Sequence, residues 1–207
     1  MAFRGWPAEA IEFYEGLAAD NSKTYWTAHK QVYESTVYAP MAALLAELEP
    51  EFGAGKITRP YRDMRFSADK SPYKTAIYAT LEDGGYVRFG ADGLTAGMGY
   101  YMMSPEQLDR YRAAVAGESS GLALVGIVDQ LTASKIQVGG GDQLKSAPKG
   151  YARDHPRIAL LRYKGLIAWR MWPAASWLST AGAKRRIVDF LHAAAPLHGW
   201  LEHHVGR

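Results

Sequence analysis

The 207-residue chain contains no cysteine. That absence excludes a disulfide framework, thiolate catalysis, an iron–sulfur cluster and any zinc site built on cysteine. No apolar run approaches the roughly 18 residues that a membrane-spanning helix needs, and the first residues lack the apolar stretch of a signal peptide. From these absences we expect a cytoplasmic protein that makes no membrane contact.

Motifs for metals and cofactors are also missing. The six histidines show no spacing typical of metal ligands. The glycines at 139–141 precede Lys145 but lack the second glycine of a P-loop, and no electron carrier has a recognisable motif. We therefore predict no metal and no cofactor, while the sequence leaves the oligomeric state open.

What is present is the composition of a folded protein. Hydrophobic residues make up 48% of the chain and charged residues 22%, which is typical of globular rather than disordered proteins. The length fits a single domain over residues 1–207.

Residue periodicity predicts helices in the first fifty residues. Trp6, Ala10, Phe13 and Leu17 recur at helical spacing, and Ser22 is a good N-cap for a second helix. Pro40 is expected to kink or restart that helix, whose apolar face continues to Pro50.

The middle of the chain changes to a strand pattern. Residues 75–81, 85–90 and 93–103 are rich in β-branched and aromatic residues, and Asp-Gly turn signals separate them, which predicts an antiparallel meander. Gly97 and Gly99 would share one face of the last strand, and either a tryptophan ring, the favoured alternative, or a flat ligand could fill the trough they leave.

Further helices should follow the meander. Helices are predicted from Ser104-Pro105, over 122–131 and at Pro156, where Asp154 would be the N-cap. A strand over 166–171 and a closing helix over about 180–195, ended by Pro196, complete the chain. The predicted fold class is α+β, an antiparallel β-meander packed by N-terminal and C-terminal helices.

Charge is concentrated in two segments. Residues 56–74 carry a net +4 and residues 145–164 a net +5, against +3 for the whole chain, so the other residues are acidic overall. Both segments mix Arg and Lys with Tyr and Pro, which favours ordered loops over solvated tails. Guanidinium forks and lysine ammonium groups suit carboxylates and phosphates.

We therefore predict that the two segments converge on a pocket for a small phosphorylated or carboxylated ligand. The predicted ligand-binding residues are Arg59, Arg62, Asp63, Arg65, Asp69, Lys70, Tyr73, Lys74, Lys145, Tyr151 and Arg162. If the protein is an enzyme, a hydrolase or transferase is favoured, and the candidates for proton transfer are His155, Tyr61 and Tyr73.

The two basic segments also resemble a known family signature. Residues 59–75 read RPYRDMRFSADKSPYKT, and Lys145, Pro148–Tyr151, Asp154–Pro156 and Leu160–Lys164 match a second block. Asn21, Trp26 and the closing 196–201 stretch also agree. The pattern is similar to an uncharacterised bacterial and fungal family of conserved hypothetical proteins, a domain of unknown function. This resemblance implies a single-domain fold and brings no activity with it.

Two other interpretations remain open. The basic segments could form an exposed surface on a non-enzymatic module that binds nucleic acid, a less favoured partner, or an acidic protein. Alternatively, the Arg, Asp and Tyr residues could form a purely structural hydrogen-bonded network.

Overall fold

A computed structural model of the protein describes residues 2–63 and 70–206. Its α-helices are α1 (Ala8–Ala19), α2 (Lys23–Val32), α3 (Ala39–Phe52), α4 (Pro105–Ala116), α5 (Glu118–Ala133), α6 (Ile158–Leu161) and α7 (Gly182–His204). Its strands are β1 (Gly55–Ile57), β2 (Ala76–Leu81), β3 (Gly85–Gly90), β4 (Gly93–Tyr100), β5 (Gln137–Gly139) and β6 (Leu166–Pro173). A π-helix (Tyr33–Tyr38) lies between α2 and α3, and a 3-10 turn (Ser176–Ser179) precedes α7.

The strands form an antiparallel sheet in the order β1-β2-β3-β4-β6-β5. The predicted meander is β2, β3 and β4, and the predicted strand over 166–171 is β6. The two outer strands, β1 and β5, are only three residues long and carry too little alternation to be recognised in the sequence. The α+β fold class is confirmed.

The chain divides into two compact units. Unit 1 comprises Met1–Ala96 and Met171–Asp189, and unit 2 comprises Gly97–Arg170 and Phe190–Arg207. The prediction of a single domain over residues 1–207 stays a prediction. Among the described residues, every helix is too short or too polar to cross a bilayer.

In unit 1, the predicted apolar stripe of α1 is the buried one. Trp6, Ala10, Phe13 and Leu17 are all buried, as their helical spacing requires. The predicted cap of α2 is also confirmed, because the Ser22 hydroxyl accepts a hydrogen bond from the Tyr25 amide at 3.1 Å.

The π-helix of unit 1 lies directly before Pro40. Proline has no N–H to donate, and its ring clashes with the carbonyl four residues earlier in an α-helix. The wider π turn ends at Tyr38, and α3 begins at Ala39 with the proline in its first turn. The helix therefore restarts at Pro40, one of the two predicted outcomes.

In unit 2, α4 begins as predicted. Ser104 and Gln107 form a reciprocal capping box, which satisfies two amides that an unpartnered helix end would leave unpaired. The start of α6 differs from the prediction. The helix begins at Ile158 rather than Pro156. The backbone amide of Arg157, just before the helix, donates to His155 Nδ1 at 3.0 Å rather than to the side chain of Asp154.

The predicted end of the closing helix is wrong. α7 continues through Pro196 to His204 because the turns beyond the proline are held by packing. Leu197 and Leu201 are buried, and the Trp200 indole donates to the Ser120 carbonyl at 2.9 Å. This packing outweighs the roughly 3 kcal/mol that a proline costs inside a helix.

Gly99 is required by the close approach of two strands. Its φ is +125°, and a Cβ atom there would lie 2.4 Å from the Leu166 carbonyl oxygen. The backbone of β6, rather than a tryptophan ring, fills the space at Gly99. At Gly126 on α5, in contrast, a Cβ atom would meet nothing within 4 Å.

We expect Gly99→Ala to lower the free energy of unfolding strongly, because both the φ angle and the neighbouring carbonyl oppose a side chain. The matched substitution Gly126→Ala should instead stabilise the protein by about 0.5–1 kcal/mol, since alanine is the better helix former. Urea unfolding monitored by circular dichroism measures both. Equal effects of the two substitutions would contradict this account of Gly99.

Candidate anion-binding site

Residues 58–62 and 72–78, the outgoing and the returning limb around the first basic segment, pair as an antiparallel ribbon in unit 1. Beyond the β1–β2 ladder, the Thr58 amide donates to the Tyr78 carbonyl at 2.8 Å. Tyr61 then pairs with Tyr73 in an isolated antiparallel bridge. On either side of this bridge, the Arg62 amide donates to the Pro72 carbonyl at 2.9 Å, and the Lys74 amide donates to the Pro60 carbonyl at 2.8 Å.

The register of this ribbon changes at its centre. Three residue steps separate Thr58 from Tyr61, whereas five separate Tyr73 from Tyr78, so the returning limb bulges. Bulges bend a strand and redirect side chains, and they occur often beside active sites. Arg59 lies in this irregular stretch of one limb, and Lys74 lies in that of the other.

Asn21, in the turn between α1 and α2, fixes the returning limb. Its amide nitrogen donates to the Tyr73 carbonyl at 3.0 Å, and its amide oxygen accepts from the Tyr73 N–H, also at 3.0 Å. The side chain thus satisfies both outward-facing backbone groups of Tyr73, as a neighbouring strand would.

Aromatic rings pack behind the ribbon. Tyr73 is buried and stacks on Trp26, with ring centroids 4.4 Å apart and planes 9° from parallel. On the other side of Trp26 lies Tyr33 of the π-helix, at 4.9 Å. Tyr61 leans on Tyr73 at 5.4 Å but remains 50% exposed, so one ring of the cluster faces solvent beside the basic residues.

Lys74 pairs across the ribbon with Pro60, the residue that follows Arg59. The Lys74 ammonium donates to the Thr58 hydroxyl at 3.1 Å and lies 5.8 Å from the centre of the Tyr78 ring. Partial burial lowers the pKa of Lys74, and the positive charge of Arg59 lowers it further. Among the described carboxylates, none forms an ion pair with either cation.

Arg88 on β3 shows the contrasting arrangement. Its guanidinium forms an ion pair with Asp92 at 2.8 Å and donates to the Tyr78 hydroxyl at 3.3 Å. This cation is neutralised within the protein, whereas Lys74 has a neutral hydroxyl and another cation as neighbours.

The structure brings most of the predicted residues of the first segment together. Those in or directly beside the ribbon are Arg59, Tyr61, Arg62, Asp63, Lys70, Tyr73 and Lys74. Arg65 and Asp69 lie outside the described residues. The ligand contacts of all these residues stay predictions.

In the second segment, which belongs to unit 2, backbone contacts occupy two of the arginines. Arg157 donates to the Val115 and Ala116 carbonyls at the end of α4, at 2.6 and 2.9 Å. Arg162 donates to the Leu144 carbonyl at 2.6 Å. Carbonyl groups at a helix end lack partners within the helix, so Arg157 completes α4.

The other predicted residues of the second segment differ in their exposure. Lys145 is exposed and Tyr151 is half-buried. His155 accepts the Arg157 amide through Nδ1, a local turn contact that occupies one of its ring nitrogens. The convergence of both segments on one pocket stays a prediction.

Sequence reasoning from charge alone missed three residues of the site. Thr58 and Tyr78 enter only through strand pairing, which no motif marks. Asn21 appeared among the residues of the family signature, but nothing in its local context indicated a partner 52 positions away.

Comparison with known proteins gives a family. Residues 9–200 match the conserved hypothetical protein family DUF2461. The chain belongs to this family. The predicted resemblance to an uncharacterised family is therefore confirmed, and both basic segments fall within the matched range. Membership in DUF2461 assigns no activity.

Two further comparisons add no function. No curated protein matches the chain. Among solved structures, a conserved hypothetical protein from Pyrococcus furiosus is similar, with 11% sequence identity and a TM-score of 0.40. The similarity covers 84% of this chain and 98% of that one.

Replacing Asn21 tests what holds the ribbon. Asn21→Ala leaves the N–H and C=O groups of Tyr73 without partners, so we expect a loss of about 1–3 kcal/mol for each group that water does not reach. Asn21→Asp keeps the acceptor but sets a carboxylate oxygen against the Tyr73 carbonyl oxygen, so it should also lower the stability. Urea unfolding measures both, and wild-type stability in Asn21→Ala would contradict the role assigned to this side chain.

Replacing Arg59 tests the cation pair. Because Arg59 lowers the pKa of Lys74, Arg59→Gln should raise that pKa towards the ordinary value of 10.5. Only the neutral amine reacts with acetic anhydride, so the pH midpoint for labelling Lys74 should move upwards. Mass spectrometry measures the midpoint, with Lys56 as the internal reference. An unchanged midpoint would show that the two cations do not interact.

Proposed function

We propose that unit 1 binds a small phosphorylated or carboxylated molecule through Lys74 and Arg59. The observation that carries this proposal is the geometry of the bulged ribbon, which pairs Lys74 with Pro60, the residue after Arg59, while none of the described carboxylates forms an ion pair with either cation. Like charges held together in a folded protein repel each other, and a bound anion relieves that repulsion.

The surroundings of Lys74 favour a specific contact over general solvation. Lys74 is half-buried, and its ammonium donates to the Thr58 hydroxyl, which leaves it further N–H groups to donate. In a partly desolvated position a charge–charge contact is screened less by water and salt than on an open surface. Arg62 and Lys70 of the same ribbon are exposed.

The tyrosines of the ribbon support binding rather than catalysis. Burial, together with the neighbouring phenol of Tyr61, raises the pKa of Tyr73, so this phenol stays protonated at neutral pH and is a poor general base. It can donate a hydrogen bond or form a wall of the site. We propose no reaction step, and the ligand contacts predicted for Lys145, Tyr151 and Arg162 stay predictions.

A thermal-shift screen tests the proposal with phosphorylated and carboxylated metabolites. A ligand at about 100 times its Kd stabilises the folded state by about 2.7 kcal/mol, which raises the Tm of a chain of this size by about 5–10 °C. Lys74→Gln should abolish the shift. Lys56→Gln, which removes the same charge from the exposed strand β1, should retain it.

The matched pair separates local binding from net charge. If both variants lose the shift equally, the binding depends on overall charge and the proposed site is wrong. A screen in which no metabolite shifts the Tm of the folded wild-type protein would also contradict a small-molecule function.

A further inference from the structure

We infer that unit 1 also binds a free aliphatic amino acid, in a cavity between residues 2–5 and the helices around Pro40. The cavity has a volume of about 270 Å³, which is just below the roughly 300–1,000 Å³ of pockets that hold drug-sized ligands and suits a small metabolite. It shares no lining residue with the basic ribbon, so this site is independent of the proposed function. The lining residues that carry the inference are Phe3, Arg4, Ser35, Ala39, Pro40 and Ala43.

The wall that residues 2–5 form is held in place by hydrogen bonds to the rest of unit 1. The Phe3 amide donates to the Glu47 carboxylate at 2.7 Å. Directly after the wall, the Trp6 amide donates to the Leu178 carbonyl at 2.8 Å. Because the wall is fixed by contacts within the protein, a ligand that binds against it pays little for ordering the chain.

Arg4 supplies a cation to this cavity. Its side chain is exposed, and among the described carboxylates none forms an ion pair with it. A guanidinium presents paired N–H donors in the geometry that a carboxylate accepts. Arg4 is therefore the group that would bind the α-carboxylate of an amino acid.

Ser35, in the π-helix, supplies an acceptor to the same cavity. A backbone carbonyl is bonded by the amide four residues later in an α-helix and five residues later in a π-helix. Four residues after Ser35, the Ala39 amide donates to the Glu34 carbonyl instead. Five residues after it, Pro40 has no N–H. The Ser35 carbonyl thus lacks both of these helical donors and would accept the α-ammonium group.

The Ser35 hydroxyl does not compete for the carboxylate. It donates its one proton within the helix, to the Gln31 carbonyl at 2.9 Å, so towards a ligand this oxygen can only accept. Both oxygens of Ser35 therefore favour a positively charged donor, which is the opposite preference to that of Arg4.

The rest of the cavity is apolar. Apart from Arg4 and Ser35, every lining residue is alanine, glycine, proline or phenylalanine, so an aliphatic side chain gains free energy by leaving water there. A cation, an acceptor and an apolar lining match the carboxylate, the ammonium and the side chain of an aliphatic amino acid. A charged side chain would have no partner among these lining residues.

Calorimetric titration with L-leucine, 4-methylpentanoate and 3-methylbutylamine tests the inference. The second compound lacks the ammonium group of leucine, and the third lacks its carboxylate. Leucine should bind about tenfold more tightly than either, since a hydrogen bond to a charged group contributes that much or more. Arg4→Gln should weaken leucine binding about tenfold and leave the amine unchanged. Arg185→Gln, which removes an exposed arginine of α7 outside the cavity, should change neither.

Pro40→Ala tests the acceptor. The alanine supplies an amide that can bond the Ser35 carbonyl, so the ammonium group loses its partner. Leucine and 4-methylpentanoate should then bind this variant with equal Kd values. Comparing the two ligands in one variant cancels the effect of removing the proline ring from the lining, and circular dichroism checks that the variant is folded.

Three results would overturn the inference. Equal binding of leucine and 4-methylpentanoate to the wild-type protein would show that the ammonium group has no acceptor. Undiminished leucine binding by Arg4→Gln would place the ligand elsewhere, and no binding of leucine by the folded wild-type protein would remove the site. These results leave the metabolite screen with Lys74→Gln untouched, so the two proposals fail separately.

Discussion

The paired hydrogen bonds between Asn21 and the backbone of Tyr73 hold the basic ribbon of unit 1 against its helices. Without them, the returning limb would have two backbone groups facing a helical turn with no strand to satisfy them. Because Tyr73 is fixed, its ring can stack on Trp26, and the bridge to Tyr61 sets the opposite limb. Lys74 follows directly in the chain, so its place on the ribbon depends on the same contact.

The helices and the meander could be predicted from local patterns. The stripe from Trp6 to Leu17 repeats at helical spacing, and Ser22 and Ser104 are capping residues whose effect extends over one turn. Features that depend on distant contacts could not be predicted this way. The continuation of α7 through Pro196 depends on the burial of Leu197 and Leu201, which the local sequence does not reveal.

The position of the candidate site in the chain could be predicted from the sequence, but the arrangement of its residues could not. Counting charges located the residues between Arg59 and Lys74, because a net +4 within 19 residues is unusual in a chain of net +3. The change of register in the stretches that contain Arg59 and Lys74 depends on strand pairing. Thr58 and Tyr78 enter the site through the same pairing, and neither carries a charge that a count could detect.

The two basic segments have similar compositions, yet their cations have different partners. In unit 2, Arg157 and Arg162 donate to main-chain carbonyls, which carry no formal charge and so do not appear in any charge count. In unit 1, the positive charge of Arg59 lowers the pKa of Lys74, and Arg88 is neutralised by Asp92. A guanidinium that completes a helix end is already satisfied and gains little from a ligand, whereas a cation beside another cation gains electrostatically from an anion. The partner of each cation, rather than the number of cations, therefore decides which segment is better suited to bind.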